Sequence, residues 1–353
     1  MKKFDFIIIG QGIGGSVLAF SLLKKGKSVL VIDDGYKSSS SFIAAGLWNP
    51  IVFKRLSKSW FIDQCIEIAY PFYKELEDEL GVSFFHKKRL IRIFPDQRSA
   101  NDFDEKSENP EYKAYINSTS VSIPDVHQPF GNGIVENAGW CNVPVFINNF
   151  REYLIERNAF FLNDFDEEKL VNVDGDWQYE NFAAEKIIFS TGSKMLSSKF
   201  FGHLPLVPNK GQVLRIKFED QKVDEMINYG NFLLPVDNDE YRLGATYELN
   251  DPNPNITEEA RISFLDGLKD ILPYTLIVLD HEVGYRPTVR DRRPLLGEHP
   301  SHKGMYIFNG LGSKGVIQAP YCAHHLVQHL LEGVAIDKEM SISRFRLPTT
   351  GDW

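Results

Sequence analysis

The stretch FIIIGQGIGG, residues 6–15, limits what this chain can fold into more than any other segment. An apolar run enters G-x-G-x-x-G at Gly10, Gly12 and Gly15, and an apolar-periodic segment from Ile13 to about Lys25 follows at once. The pattern is that of a buried strand passing through a glycine turn into a helix. Gly10 permits the tight turn, Gly12 lets an anion approach the backbone, and Gly15 lets helix and strand pack closely. With Ile13 and Gly14 the turn presents free N–H groups and the positive end of a helix dipole, a cradle for a pyrophosphate. A second strand over 28–33 ends on Asp33, about twenty residues past the first glycine, where a carboxylate accepts hydrogen bonds from ribose hydroxyls. That carboxylate would repel a ribose 2′-phosphate, so NADP is disfavoured.

A second strand, glycine loop and helix start, MYIFNGLGSKGVIQAP, lies near the other end of the chain. A helix N-terminus aimed at the pyrimidine edge of a flavin would stabilise the negative charge that develops there on reduction, by up to about 2 kcal/mol. Nicotinamide gathers no such charge, so this loop fits FAD better than NAD. The alternative is that its glycines serve backbone angles alone.

Strand and helix patterns recur at about 143–162 and before Thr191-Gly192. From about residue 210 the pattern changes to alternating strands (GQVLRIKF, NFLLPV, YRLGATYE), which suit an antiparallel sheet with one solvated face. Residues 60–80 read as a long amphipathic helix bent at Pro71, and 96–112 as a polar surface excursion. A chain of 353 residues exceeds what one core usually serves. The expected fold is therefore α/β, with a discontinuous Rossmann-like nucleotide-binding domain (1–80, 145–205 and 286–353). An inserted antiparallel-sheet α+β substrate domain takes 81–144 and 206–285.

Together IIIGQGIGGSVLAFSLLKKGKSVLVID, SSFIAAG, FSTG, GYRPTVRDRRPLLG and NGLGSKGVIQAP resemble the FAD-dependent D-amino-acid oxidase superfamily, in the family's order and from near residue 4 to about 331. The resemblance implies that Ser40, Ser41, Ala44, Ala45, Gly46 and Leu47 line the flavin and its diphosphate, and that Thr191 and Gly192 sit near the adenosine. It also implies that Gly310, Gly312, Ser313, Lys314, Gly315 and Val316 meet the pyrimidine side of the ring. No cysteine stands near the R-P motif, so the FAD is expected to be noncovalent. The arginine of G-x-R-P pairs with the substrate carboxylate in such enzymes, and here it is Arg286; the other reading makes it a structural tie to a buried carboxylate. Tyr247 falls on the substrate face of the flavin, as a hydrogen-bonding phenol or a packed core ring, and Trp48 is a candidate cavity wall.

The implied reaction oxidises the C–N bond of an amino acid or carboxylated secondary amine by hydride transfer to flavin. GLWNP and GLGSKGVIQAP are also similar to the FAD domain of the bifunctional tRNA methylaminomethyl-uridine biosynthesis enzyme, which implies a carboxymethylated wobble uridine as an alternative substrate. Against RNA stands the net charge of -9, which supplies no long-range field for a polyanion. FKRLSKSW (53–60) is the one basic-aromatic segment, expected to be a solvated helix start. A third reading is a flavin-holding scaffold that oxidises no amine. His325 and His329 lack a third ligand, so no metal is expected. Arg290, Arg292 and Arg293 are expected to pair with acids such as Asp291. Three scattered cysteines, no signal peptide and no long apolar run lead to a cytoplasmic expectation.

Overall fold

The structure, a computed structural model, describes residues 1–35 and 39–345. The last part of the expected nucleotide domain, 346–353, lies outside the described residues. The apolar opening run forms β1 (Lys2–Ile9), buried on both faces and flanked in parallel by β2 (Val29–Asp33) and the strand Phe182–Phe189. Phe160–Leu162 extends β2, and Met305–Asn309 pairs in parallel with the second half of Phe182–Phe189. The first half of that edge is taken by the antiparallel hairpin 171–179, and Leu295–Glu298 closes the sheet antiparallel to Met305–Asn309. Four strands thus end on one side of the sheet, where Gly10, Asp33, Thr191 and Gly310 emerge. This is the edge at which parallel sheets hold ligands.

Helix α1 (Ile13–Lys24) and the long helix Gly315–Glu332 pack beside each other in a large apolar cluster on one sheet face. The helix Ile62–Leu80 joins them, running through Pro71 to a left-handed C-cap at Gly81, and Tyr73 Oη donates to Val316 O at 2.6 Å.

The second sheet has nine strands. Leu206–Phe218 pairs along nearly its whole length with Leu276–Val289, and the order runs on through Glu240–Gly244, Phe232–Pro235 and Met226–Asn228 to Leu90–Ile93. One parallel pairing, 226–228 with 90–92, makes the sheet mixed. Its alternation leaves only the far end of one face solvated, where Lys217 and Asp280 are exposed. Leu214, Ile216 and Leu243 pack on one side with Phe264 and Leu268 of the helix Glu258–Lys269, while Leu90, Met226 and Leu234 on the other join the cluster beneath the parallel sheet. The second side therefore faces the nucleotide-binding half.

One local expectation is sharpened and one fails. Residues 96–112 lie at the surface, with 97–108 a helix capped by Asp96, which accepts from Ser99 N at 2.7 Å. Residues 53–60 are no helix start: Ile51–Val52 and Ser57–Lys58 form a hairpin with Phe53-Lys54-Arg55-Leu56 at its tip.

Candidate active site

The opening turn and the late glycine loop share one cleft. A Cβ on Gly14 would sit 3.3 Å from Leu311 Cδ1, and one on Gly315 would sit 3.2 Å from Ile13 Cγ2. Asn309 Nδ2 donates to Gly192 O at 2.9 Å, which ties Thr191-Gly192 to the same rim. The helix Ser40–Ile43 closes another side: Ser41 Oγ accepts from Ile13 N at 3.1 Å and lies 3.1 Å from where a Gly12 Cβ would stand. Two glycines are demanded by packing. A Cβ on Gly15 would strike Gly10 O at 1.9 Å, and one on Gly46 would strike Cys141 O at 1.9 Å. Gly46 thus fixes the approach of the Leu47–Trp48 strand to Gly139–Cys141, while Ala44 is exposed and Ala45 and Leu47 are half-buried. Ser313 is exposed at the loop tip and Val316 is buried at the head of the last helix.

Asp33 stands at the end of β2, where the sequence pattern puts it. Its Oδ2 accepts from Gln11 N at 2.7 Å, and its Oδ1 accepts from Gly35 N at 2.8 Å and Arg151 Nη2 at 3.2 Å. Arg151 Nε also donates to Gln11 Oε1 at 2.5 Å, and Gln11 Nε2 donates to Ile147 O at 3.0 Å. No motif points to Arg151, since only the fold brings it back to the turn. Lys314 Nζ donates to Asn49 O at 2.9 Å, and burial pushes its pKa down to about 8.

These residues fit a dinucleotide with a ring system at its far end: bare glycine backbone at a helix N-terminus, a ribose-facing carboxylate, and a lined trough of partly exposed residues. Two buried polar atoms without partners, Thr191 Oγ1 and Trp48 Nε1, lie in segments that border it. Trp48 itself is enclosed, 1% exposed and stacked on Phe85 at 5.5 Å between centroids.

Arg286 lies on the strand Leu276–Val289, opposite Asn209, on the side of the sheet that faces the cleft. Its guanidinium rests on Gly211, 2.3 Å from where a Cβ would stand, and 4.3 Å from the Tyr247 ring. It donates only to backbone carbonyls, Thr246 O at 3.1 Å and Lys210 O at 3.4 Å. Its neighbours on the sheet differ. Lys210 holds Asp251 at 2.7 Å, Arg215 holds Glu240 at 2.8 Å, and Arg242 pairs with Glu282. No described carboxylate lies within ion-pair distance of Arg286, so the structural tie to a buried acid is not formed. Burial pushes its pKa below the ordinary arginine value. Tyr247 is 64% exposed, a rim residue and no core ring.

The other arginines of that stretch are structural or exposed. Arg293 Nε holds Glu339 at 2.8 Å, whereas Asp291 is taken by Arg344 at 2.8 Å. Arg290 and Arg292 are exposed. His329 Nδ1 faces Val334 O at 2.9 Å and His325 packs on Tyr321.

The fold and cleft define a flavin-dependent oxidoreductase. A model of the FAD dependent oxidoreductase family matches residues 5–329, and the chain belongs to that family, with FAD as its cofactor. It is 26% identical to the tRNA 5-methylaminomethyl-2-thiouridine biosynthesis bifunctional protein MnmC of Marinobacter nauticus, over 92% of this chain and 55% of that protein. The chain spans about half the length of such relatives. It is 24% identical to the uncharacterized oxidoreductase YurR of Bacillus subtilis, over 93% of this chain and 95% of that one. Among solved structures, glycine oxidase from Geobacillus kaustophilus has the same fold, with a TM-score of 0.81 at 19% identity over 98% and 100% of the two chains. Iminodiacetate oxidase from Chelativorans sp. BNC1 aligns with a TM-score of 0.79 at 19% identity over 95% and 99%. No helix among the described residues is long and apolar enough to cross a membrane.

Proposed function

We propose that the protein oxidises the C–N bond of a carboxylated amine, an amino acid or an N-substituted one, and that Arg286 binds the carboxylate. The carrying observation is the guanidinium itself: it is largely buried, has no described carboxylate within ion-pair distance, and faces the cleft. A guanidinium grips a carboxylate with two parallel hydrogen bonds and so orients the rest of the molecule. Asn209, paired in register with Arg286, buries a side-chain carbonyl that has no partner among the described residues, an acceptor suited to the substrate N–H. Tyr247 covers the guanidinium from the rim. Bound FAD would supply the two-electron acceptor for the hydride on the carbon beside the amine, leaving an imine that water hydrolyses. The FAD is held without a covalent link, since no cysteine stands near the Arg286-Pro287 motif. The binding unit for it is 1–80, 145–205 and 286–353 and the substrate unit is 81–144 and 206–285, the strand Leu276–Val289 crossing from one to the other so that Arg286 stands on the substrate sheet; the cytoplasm is the proposed compartment.

A second reading is favoured by the relatives named for tRNA biosynthesis: the same carboxylated amine presented on a modified uridine of tRNA. Anaerobic reduction of the flavin by glycine, sarcosine, proline and larger N-substituted amino acids tests the reaction. Arg286→Leu is expected to retain FAD and weaken the reducing substrate by ~3 kcal/mol, on the order of a hundredfold. Unchanged kinetics would make the arginine structural, and a flavin that no amine reduces would leave a scaffold.

A further inference from the structure

Arg286 is not the sheet's single uncompensated cation. Arg92, on Leu90–Ile93, has no described carboxylate within ion-pair distance either; it donates to Asn228 Oδ1, its guanidinium lies 4.8 Å from the Phe53 ring, and burial lowers its pKa. The register links the two. Gly211, under Arg286, lies two residues from Val213, and the pairs Val213–Gly244, Gly244–Phe232, Phe232–Asn228 and Asn228–Arg92 carry the same face across the sheet. Five inter-strand steps of ~4.8 Å put the two arginine strands roughly 24 Å apart. A free amino acid cannot bridge that distance.

Arg92 opens into a cavity of about 490 Å³ between the tip of the 51–58 hairpin and the helix Gln97–Glu108. Lys54, Arg55, Arg92 and Lys106 line it with the half-buried ring of Phe53, above a floor of the buried Phe94 and Phe103. Lys54 and Arg55 are exposed and make no described ion pair. The facing acids are Asp102, 3.8 Å from Arg98, and Glu105, so cations outnumber acids locally in a chain that is acidic as a whole. Cations beside aromatic faces hold phosphates and stack bases.

We propose that this cavity holds the phosphate and base of a nucleotide in an RNA strand, so that the RNA carrying the amine is gripped at one end of the sheet face while Arg286 holds the reacting group at the other. The inference deepens the tRNA reading given above and rests on it.

The test uses the FAD-loaded protein and a fluorescent RNA stem-loop with uridine in its loop, with binding followed by anisotropy at several salt concentrations. The double variant K54E/R55E is expected to bind at least tenfold more weakly. Its salt slope should be shallower by about 1.4, the value for two lost single-strand phosphate contacts. Phe53→Leu is expected to weaken binding about tenfold with an unchanged slope, as loss of stacking does. Lys269→Glu, an exposed charge at the end of the helix on the opposite sheet face, should change binding little. An equal loss in Lys269→Glu, or none in the cavity variants, would overturn the assignment. Binding of UMP without binding of the stem-loop would give the cavity to a free nucleotide and overturn it as well. Wild-type protein reduced by small carboxylated amines yet failing here would keep the oxidase reading and lose this one.

Discussion

Arg151 reaches Asp33 only through the docking of the helix Val143–Glu156 against the opening turn, and the ion pair it makes there joins two distant parts of the chain. The pair is mostly buried, at 15% and 16% side-chain exposure, so losing the cation leaves a poorly solvated carboxylate at the proposed ribose site. Arg151→Met is expected to weaken FAD retention about tenfold, measured as flavin lost on repeated dilution and ultrafiltration; full retention would show that Gln11 and Gly35 suffice to orient Asp33. His299 is held in its neutral form. It is 2% exposed, its Nδ1 accepts from Ser301 N at 3.1 Å and its Nε2 faces Phe200 O at 3.2 Å, an arrangement that fixes one neutral tautomer. Burial first, and then the neighbouring His302, bring its pKa down to about 4 from 6.5. The unfolded chain therefore binds the extra proton between those values. The stabilisation from a neutral His299 is complete above about pH 6.5, falls as pH drops towards 4, and is level below. Between pH 7.5 and 5 that amounts to about 2 kcal/mol. In urea unfolding, His299→Phe should lose about that much less stability over the interval than the parent does. Parallel pH curves for the two proteins would refute the assignment.

At the scale of elements, the buried parallel strands and their glycine turns could be read because both are dictated locally: continuous apolar runs for strands covered on two faces, and glycine where a Cβ cannot fit. Gly15→Ala should accordingly abolish FAD binding, since its Cβ would meet the Gly10 carbonyl, a backbone atom that cannot rotate away. Gly26→Ala is the control. It has a positive φ of 71° but open space around it, so about 1 kcal/mol of strain is expected with FAD retained, as flavin absorbance per mole of protein will show. The helix Gln97–Glu108 escaped sequence reading for the converse reason. Only Phe103 and Ser107 of its residues are buried, so hydrophobic periodicity had almost nothing to report, and the Asp96 cap was its one local signal. The expected solvated sheet face was realised only in part, for a related reason. Alternation tells which residues share a side, but polar side chains lining a cleft between two units look the same in sequence as polar side chains in water.

At the scale of the whole molecule, the residues proposed to close on FAD come from both ends of the chain and its middle: 10–15, 40–47, 191–192 and 310–316. Each is the loop at the end of a different strand or helix of one sheet assembly, so the cleft exists only when the parallel sheet has formed and the second sheet is docked against it. An unfolded chain has no comparable site for the intact dinucleotide, and a ligand bound by the native state alone stabilises it by RT ln(1 + [L]/Kd), about 4 kcal/mol at a thousandfold excess over Kd. For a chain of this size a few degrees accompany each kcal/mol, so removal of FAD is expected to lower the melting temperature by on the order of 10 °C, and re-addition to restore it. AMP should restore only part of the shift, because it reaches the Asp33 end and leaves the late loop Gly310–Val316 unengaged. If AMP recovered the whole shift, the late loop would contribute nothing to holding the cofactor, and the contact between its Gly315 and Ile13 of the opening turn would be packing between two helices and no more.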